Sequence, residues 1–349
     1  MTPATPQQTP GRGLRASAPG LPSEPADEVG SARRSWRVEP PDWFAAVAGA
    51  ILVAVVLTFL SDAFLTTNNL TNVLAQTAVL TILATGQCFV LLTAGIDLSV
   101  SATMAFAGTM LGMLTVTYEW PVILGLAVTF AGGLVIGLIN GVLVARFALP
   151  AFIVTLGGLL VWRGLALQMV GGINTTGLPD FVTWLGQEDV LGVPAPALVA
   201  LAVVAVSALV VSRTRFGVGL RAIGGSASAA QRSGVPVLRY KVMAYVICSL
   251  LATLGGIVLV GRLDSAGGSL GTGMELMVIS AAAIGGVSLF GGSGSPWGAF
   301  FGAILIGIIQ NGLNLLGTSA FVQQIATGVI LVLAVAVDQG RRRLARRWA

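Results

Sequence analysis

The chain alternates long apolar runs with short polar or glycine-rich interruptions. Ten windows approach the ~20 apolar residues that a helix needs to cross a hydrocarbon core at 1.5 Å rise per residue. They lie at roughly 43–60, 70–92, 98–117, 121–144, 151–170, 195–212, 241–261, 274–290, 297–315 and 320–337. Within lipid every backbone polar group must be satisfied internally, so the pattern predicts an all-α, polytopic transmembrane helical bundle. Interruptions such as TAGIDLS (93–99) and FGGSGSP (290–296) must then lie at a surface or be packed in protein.

Composition agrees with that pattern. Hydrophobic residues make up 55% of the 349 and charged residues only 9%, against about 25% charged in an average soluble domain. The mean hydropathy is +0.89. Residues 1–40, rich in Pro, Ser, Ala and Gly, lack a periodic apolar face and are expected to form a disordered cytoplasmic tail. The transmembrane domain is assigned to 41–339 and a basic cytoplasmic C-terminal tail to 340–349. Arg33-Arg34 precedes an apolar run as in an export signal, but acids, two prolines and further spans follow, so it is read as a positive-inside flank.

Charge placement sets the expected direction. Arg33, Arg34 and Arg37 at one end and RRRLARRWA at the other put both termini in the cytoplasm, which requires an even number of spans. Residues 212–241 carry Arg213, Arg215, Arg221, Arg232, Arg239 and Lys241 with no acid and form the main cytoplasmic loop. Residues 171–194 hold Asp180, Glu188 and Asp189 with no base and suit the outer side.

Several function classes fall away. With no His there is no Ser-His-Asp relay and no histidine-ligated zinc. The single Lys is in no glycine-rich phosphate loop, so ATP hydrolysis is not expected on this chain, nor is any cofactor. The two Cys lie in apolar runs without motif spacing and read as core residues. The basic excess sits in flanks and one loop rather than in a polar domain, which excludes a nucleic-acid partner. Glycines repeat at roughly helical spacing (Gly137, Gly141; Gly298, Gly302, Gly307), serving bundle packing or a dimer face. TAGIDLSVSATMAFAGTMLG in the first half and FGGSGSPWGAFFGAILIG in the second suggest an internal repeat, a frequent feature of transporters.

Four separated stretches, LTAGIDLSVSATMAFAG (92–108), GLRAIGGSASAAQRSGV (219–235), GTGMELMVISAAAIGGVSLFGGSGSPWG (271–298) and NGLNLLGTSAFVQQIATGVILVLAVAVDQ (311–339), carry a closer likeness. Together they closely resemble the permease subunits of bacterial ABC importers for ribose, xylose, arabinose, galactose and related sugars. The resemblance covers about 45–339. It implies a permease that pairs with a second permease subunit, docks on a separate ABC ATPase and receives a monosaccharide from a periplasmic or lipid-anchored sugar-binding protein. The alternative from the residues alone is an ion-coupled secondary transporter of a small polar solute, disfavoured by the scarcity of buried acids.

The resemblance also implies a short cytoplasmic helix that fits the ATPase. Ala222, Gly224, Gly225, Ala229, Ala230, Arg232 and Gly234 fall on it, in an Ala-rich segment bounded by Gly, with Ser226 and Ser228 where the family usually carries an acid. Asp97 is expected to stabilise the break or cap the helix that follows it, with a place on the route as the lesser reading. The family's pattern commonly has Gly where Ser101 stands and Asp where Met277 stands. Arg163, in LLVWRG, is the basic residue inside a span and is read as a structural contact rather than a substrate contact. Asp264 and Glu275, near helix ends on the outer side, are expected to meet the binding protein or cap helices, with Glu275 also a pathway or structural candidate, while Asn311 and Asn314 are assigned to interhelical packing ahead of the pathway.

Overall fold

The computed structural model describes Met1, Pro41 and residues 43–347; the tail predicted over 1–40 otherwise lies outside the described residues. From Pro40 onward the chain is one compact unit. Its helices are α1 (Phe44–Leu60), α2 (Thr67–Leu92), α3 (Val100–Gly112, prolonged by a π-turn over Met113–Thr117), α4 (Val122–Ala145), α5 (Ala151–Val170), α6 (Asp180–Gln187), α7 (Ala195–Arg213), α8 (Arg215–Gly225), α9 (Ala227–Arg232), α10 (Val237–Leu263), α11 (Met274–Ile284), α12 (Pro296–Leu315) and α13 (Ala320–Arg347). Two-residue strands pair antiparallel as β1 (Thr175–Thr176) with β4 (Ser265–Ala266) and as β2 (Asp189–Val190) with β3 (Val193–Pro194).

A helix begins or ends where the sequence supplies a cap or a breaker. Thr66 accepts the N–H of Asn69 ahead of α2, Ser295 accepts that of Gly298 with Pro296 at the first position of α12, and α5 closes on Gly171 at φ 57°. Each of the ten predicted windows holds a helix. Seven hold helices long and apolar enough to span a membrane, and three hold the shorter Phe44–Leu60 and Met274–Ile284 and the start of α13, apolar over Ala320–Ile330. The window at 274–290 is cut short where Gly286, two residues past the end of α11, takes positive φ. At 1.5 Å per residue α11 rises only about 16 Å, half a hydrocarbon core. Residues 340–347 continue α13 without interruption.

The core is built on α2 and α10. From Thr77 to Leu92 every residue of α2 is buried, which fits its all-round apolarity. The pair is antiparallel, Gly86 meeting Cys248 and Leu251 while Gly255 meets Leu83. Around the pair the packing repeats. Helix α4 lies on α10 as α12 lies on α2, α3 on α10 as α11 on α2, and α3 on α5 as α11 on α13. The segments α2–α5 and α10–α13 are therefore two halves of opposite direction, the inverted arrangement found in many transporters. In this pairing the break at 93–99 corresponds to the loop 264–273, and 290–296 to the short turn after α3. The two glycine-rich stretches matched by composition are thus not counterparts. The spaced glycines serve internal contact: a Cβ on Gly137 would come within 2.6 Å of the Val246 backbone, and one on Gly141 within 2.8 Å of Val242.

Candidate functional site

The break between α2 and α3 is held by polar groups from three helices. Asp97, 1% exposed, accepts from the Ser99 N–H at 2.8 Å and from the Ser99 hydroxyl at 2.6 Å. Its acceptor thus serves the residue just before α3, closing an Asx turn inside the break. Asn140 of α4 donates to the Ser99 hydroxyl at 2.9 Å, and the Thr155 hydroxyl of α5 donates to the Ile96 carbonyl at 3.3 Å. With its amide nitrogen toward the Asp97 carbonyl and its oxygen toward the Asp97 N–H, Gln87 of α2 makes two further bonds of 3.1 Å. A buried carboxylate is tolerable only with such company.

An isosteric change tests this arrangement. Asp97→Asn keeps an acceptor for Ser99 and is expected to retain most complex assembly and transport. Asp97→Leu strands two buried donors, at about 1–3 kcal/mol each, and should cut the yield of folded protein severely. Size-exclusion yield and uptake of the two variants read this. Loss of transport by Asn with assembly intact would instead give the charge a direct part in the route.

A second polar group lies farther from that end of the bundle. Arg163 of α5, half-buried, donates through Nη1 to the carbonyls of Gly268 (2.8 Å) and Leu270 (2.6 Å) in the loop after α10. Its Nη2 donates to the Ser101 hydroxyl at 3.3 Å, and that hydroxyl donates in turn to Glu275 of α11. One guanidinium thus joins α3, α5, α11 and the loop 268–270. Ser101 lies within helical α3 without positive φ and acts through its hydroxyl, a role sequence reading missed. The remaining candidates do not join this group. Asn311 exchanges amide bonds with Asn69 (2.8 and 3.1 Å), tying α12 to α2, and Asn314 accepts from Gln323 of α13 at 2.6 Å. Asp264, at φ 44°, accepts from the Leu178 N–H, and Met277 accepts a weak bond from Gln310.

The predicted short helix resolves into two. Helix α8 ends at Gly225, Ser226 caps α9 by accepting from the Ala229 N–H at 3.3 Å, and the Gly234 turn at φ 83° follows. Ala230 is buried, Ala222 and Ala229 are half-buried, and Gly225, Ser228, Gln231, Arg232 and Gly234 are exposed. Gly224 lies directly on the Leu92 carbonyl and the Gly292 nitrogen, which are themselves hydrogen-bonded at 3.2 Å. Arg221 donates to the Gly294 carbonyl at 3.3 Å. The α8–α9 hairpin therefore rests on the end of α2 and on the loop between α11 and α12, one element from each half. Among the described residues there is no cluster of three or more metal-ligating side chains.

The architecture has clear relatives. Residues 69–335 match the family model described as branched-chain amino acid transport system / permease component. The ribose import permease protein RbsC of Escherichia coli (strain K12) is 39% identical over 313 residues, covering 88% of this chain and 96% of that protein. Its namesake from Bacillus subtilis (strain 168) is 38% identical, with 83% of this chain and 91% of that protein covered. The D-allose transport system permease protein AlsC of E. coli (strain K12) is 34% identical, with 83% and 89% covered. No solved structure matches the chain. A multi-helix membrane bundle that aligns along most of its length with such permeases belongs to the branched-chain amino acid transport system / permease component family, among the permeases of ABC sugar importers.

Proposed function

We propose that the chain is the membrane subunit of an ATP-driven importer of a monosaccharide. It works with a second permease subunit, a separate ABC ATPase and an external sugar-binding protein, and is not itself an enzyme. The observation that carries the reading is the seating of Gly224 on Leu92 and Gly292. A partner that grips the exposed face of α8–α9 can shift one break in each half at once, which is what alternating access to a central route needs. The face of α5 that carries exposed Gly157, Val161 and Gly164 suits the second subunit, because small residues with open space beside them let another helix approach closely. The relatives' names favour a pentose or hexose.

The test is affinity purification with a tag on the full chain. An ABC ATPase should come down with the chain, identified by its ATP hydrolysis. Ala229→Pro, which removes the N–H that the Ser226 hydroxyl caps at a cost of about 0.5–2 kcal/mol, should weaken that association with membrane insertion intact. Normal association in the Pro variant would reduce α8–α9 to a topological loop. Orientation is read separately. In a Cys-free background, cysteines at exposed positions 180 and 228 should react with impermeant reagent from opposite sides, 228 from the cytoplasm. Reaction of both from one side would overturn the topology.

A further inference from the structure

The cytoplasmic end proposed above carries a cleft of about 460 Å³, between the end of α7, the start of α8 and the turn leading into α10. Arg213, Arg215, Val218, Ser233, Pro236 and Tyr240 line it, among others. No Asp or Glu occurs between Asp189 and Asp264. Neither Arg213 nor Arg215 has a hydrogen bond or carboxylate partner among the described residues. Arg213 is not needed to cap α7 either: the Ser212 hydroxyl donates to the Ala208 carbonyl at 2.6 Å and the Thr214 hydroxyl to that of Val210 at 2.7 Å. Helix α8 begins at Arg215, so its positive end adds to the two guanidiniums. Two guanidiniums and a helix N-terminus therefore meet at the cleft, with no carboxylate paired to either Arg among the described residues.

Exposed apolar side chains lie on the same elements, Val218 in the cleft lining itself and two others on α10, the helix that carries Tyr240. Val218 is 63% exposed, and Leu238 and Met243 of α10 are 43% and 48% exposed. The cleft lies where two membrane-spanning helices, α7 and α10, reach the inner surface in the orientation proposed above. Cation, hydroxyl and adjoining apolar surface in that order match a phosphodiester headgroup with acyl chains running along the bundle. Basic pockets between helices at this level are a recurring headgroup site. We propose that the cleft binds one anionic diacyl phospholipid of the inner leaflet, its phosphate held by Arg213 and Arg215. The inference rests on the proposed orientation but not on the identity of the transported solute.

The test uses the full chain purified in detergent and equilibrated with equal amounts of phosphatidylglycerol and phosphatidylcholine, with retained lipid counted by native mass spectrometry. Selective retention of phosphatidylglycerol is expected. Arg213→Gln with Arg215→Gln should lower it roughly tenfold or more. Arg146→Gln, which removes an exposed cation at the end of α4 outside the cleft, should leave it unchanged. Should the double Gln variant fold poorly, the Arg213→Lys, Arg215→Lys pair keeps the charge and should retain the lipid. Equal retention in a folded Gln variant overturns the proposal. So does displacement by an equal amount of glycerol 3-phosphate, which would mark a soluble-phosphate site. Unchanged retention with loss of the co-purified ATPase would make the cleft part of the ATPase contact instead, while transport itself is scored independently of every arm.

Discussion

Gly224→Val is expected to abolish transport while its neighbour Gly225 tolerates change. Any Cβ at Gly224 overlaps the Leu92 carbonyl oxygen and the Gly292 nitrogen, both backbone atoms that cannot rotate aside, whereas nothing lies within 4 Å of a Cβ at Gly225. Overpacking in a close-packed region costs typically 1–3 kcal/mol, and a clash with backbone belongs at or above the top of that range. The α8–α9 hairpin must then lift from the two breaks it rests on. If ATP closure is transmitted through that seat, the Val variant should still bind the ATPase by its exposed face and hydrolyse ATP without moving sugar. Gly225→Ala should leave expression and thermal stability unchanged. Equal tolerance at both positions, read by stability and by uptake per ATP hydrolysed, would show that the contact transmits nothing.

Arg163→Met should lower the stability of the folded chain clearly. The substitution keeps the aliphatic stem but leaves the Gly268 and Leu270 carbonyls and the Ser101 hydroxyl without their donor. Hydrogen bonds to a charged group contribute about 1.5–3 kcal/mol each. Because Arg163 is only half-buried, a total of roughly 2–4 kcal/mol is the appropriate scale. Arg163→Lys should recover part of it, since an ammonium supplies the charge but not the planar fork that reaches two carbonyls. A clear fall in melting temperature in detergent for Met, with Lys between, is the expected order. Unchanged stability in the Met variant alongside lost uptake would move Arg163 from scaffold to substrate contact.

Which features could be read in advance follows from how each is encoded. Long apolar windows are local signals, so the helical bundle and the positions of its helices were legible, and the positive φ of Gly286 explains why α11 stops short of its window. Residues 219–235 carried enough Ala and Gly to place a helix, though not the Ser226 cap that splits it. Pairings between distant segments left no such trace. The partners of Arg163 are main-chain carbonyls, which any sequence supplies, and the Gln87 amide meets the backbone of Asp97, not a complementary side chain. Ser101 departs from the family's glycine pattern, and only the fold shows its hydroxyl between Arg163 and Glu275. The repeat was visible as repeated composition but in the wrong register, because glycine-rich breaks occur in both halves for different local reasons. Helix α6, eight residues within a polar loop, gave no periodic signal long enough to register.

The most direct measurement is uptake of radiolabelled pentoses and hexoses into proteoliposomes that contain the chain with its ATPase and receive the sugar-binding protein outside and ATP on the ATPase side. The account predicts accumulation of one sugar class that requires both ATP and binding protein and persists when proton and sodium gradients are dissipated. Uptake that continues without ATP and collapses with either gradient would contradict it and make the chain an ion-coupled transporter.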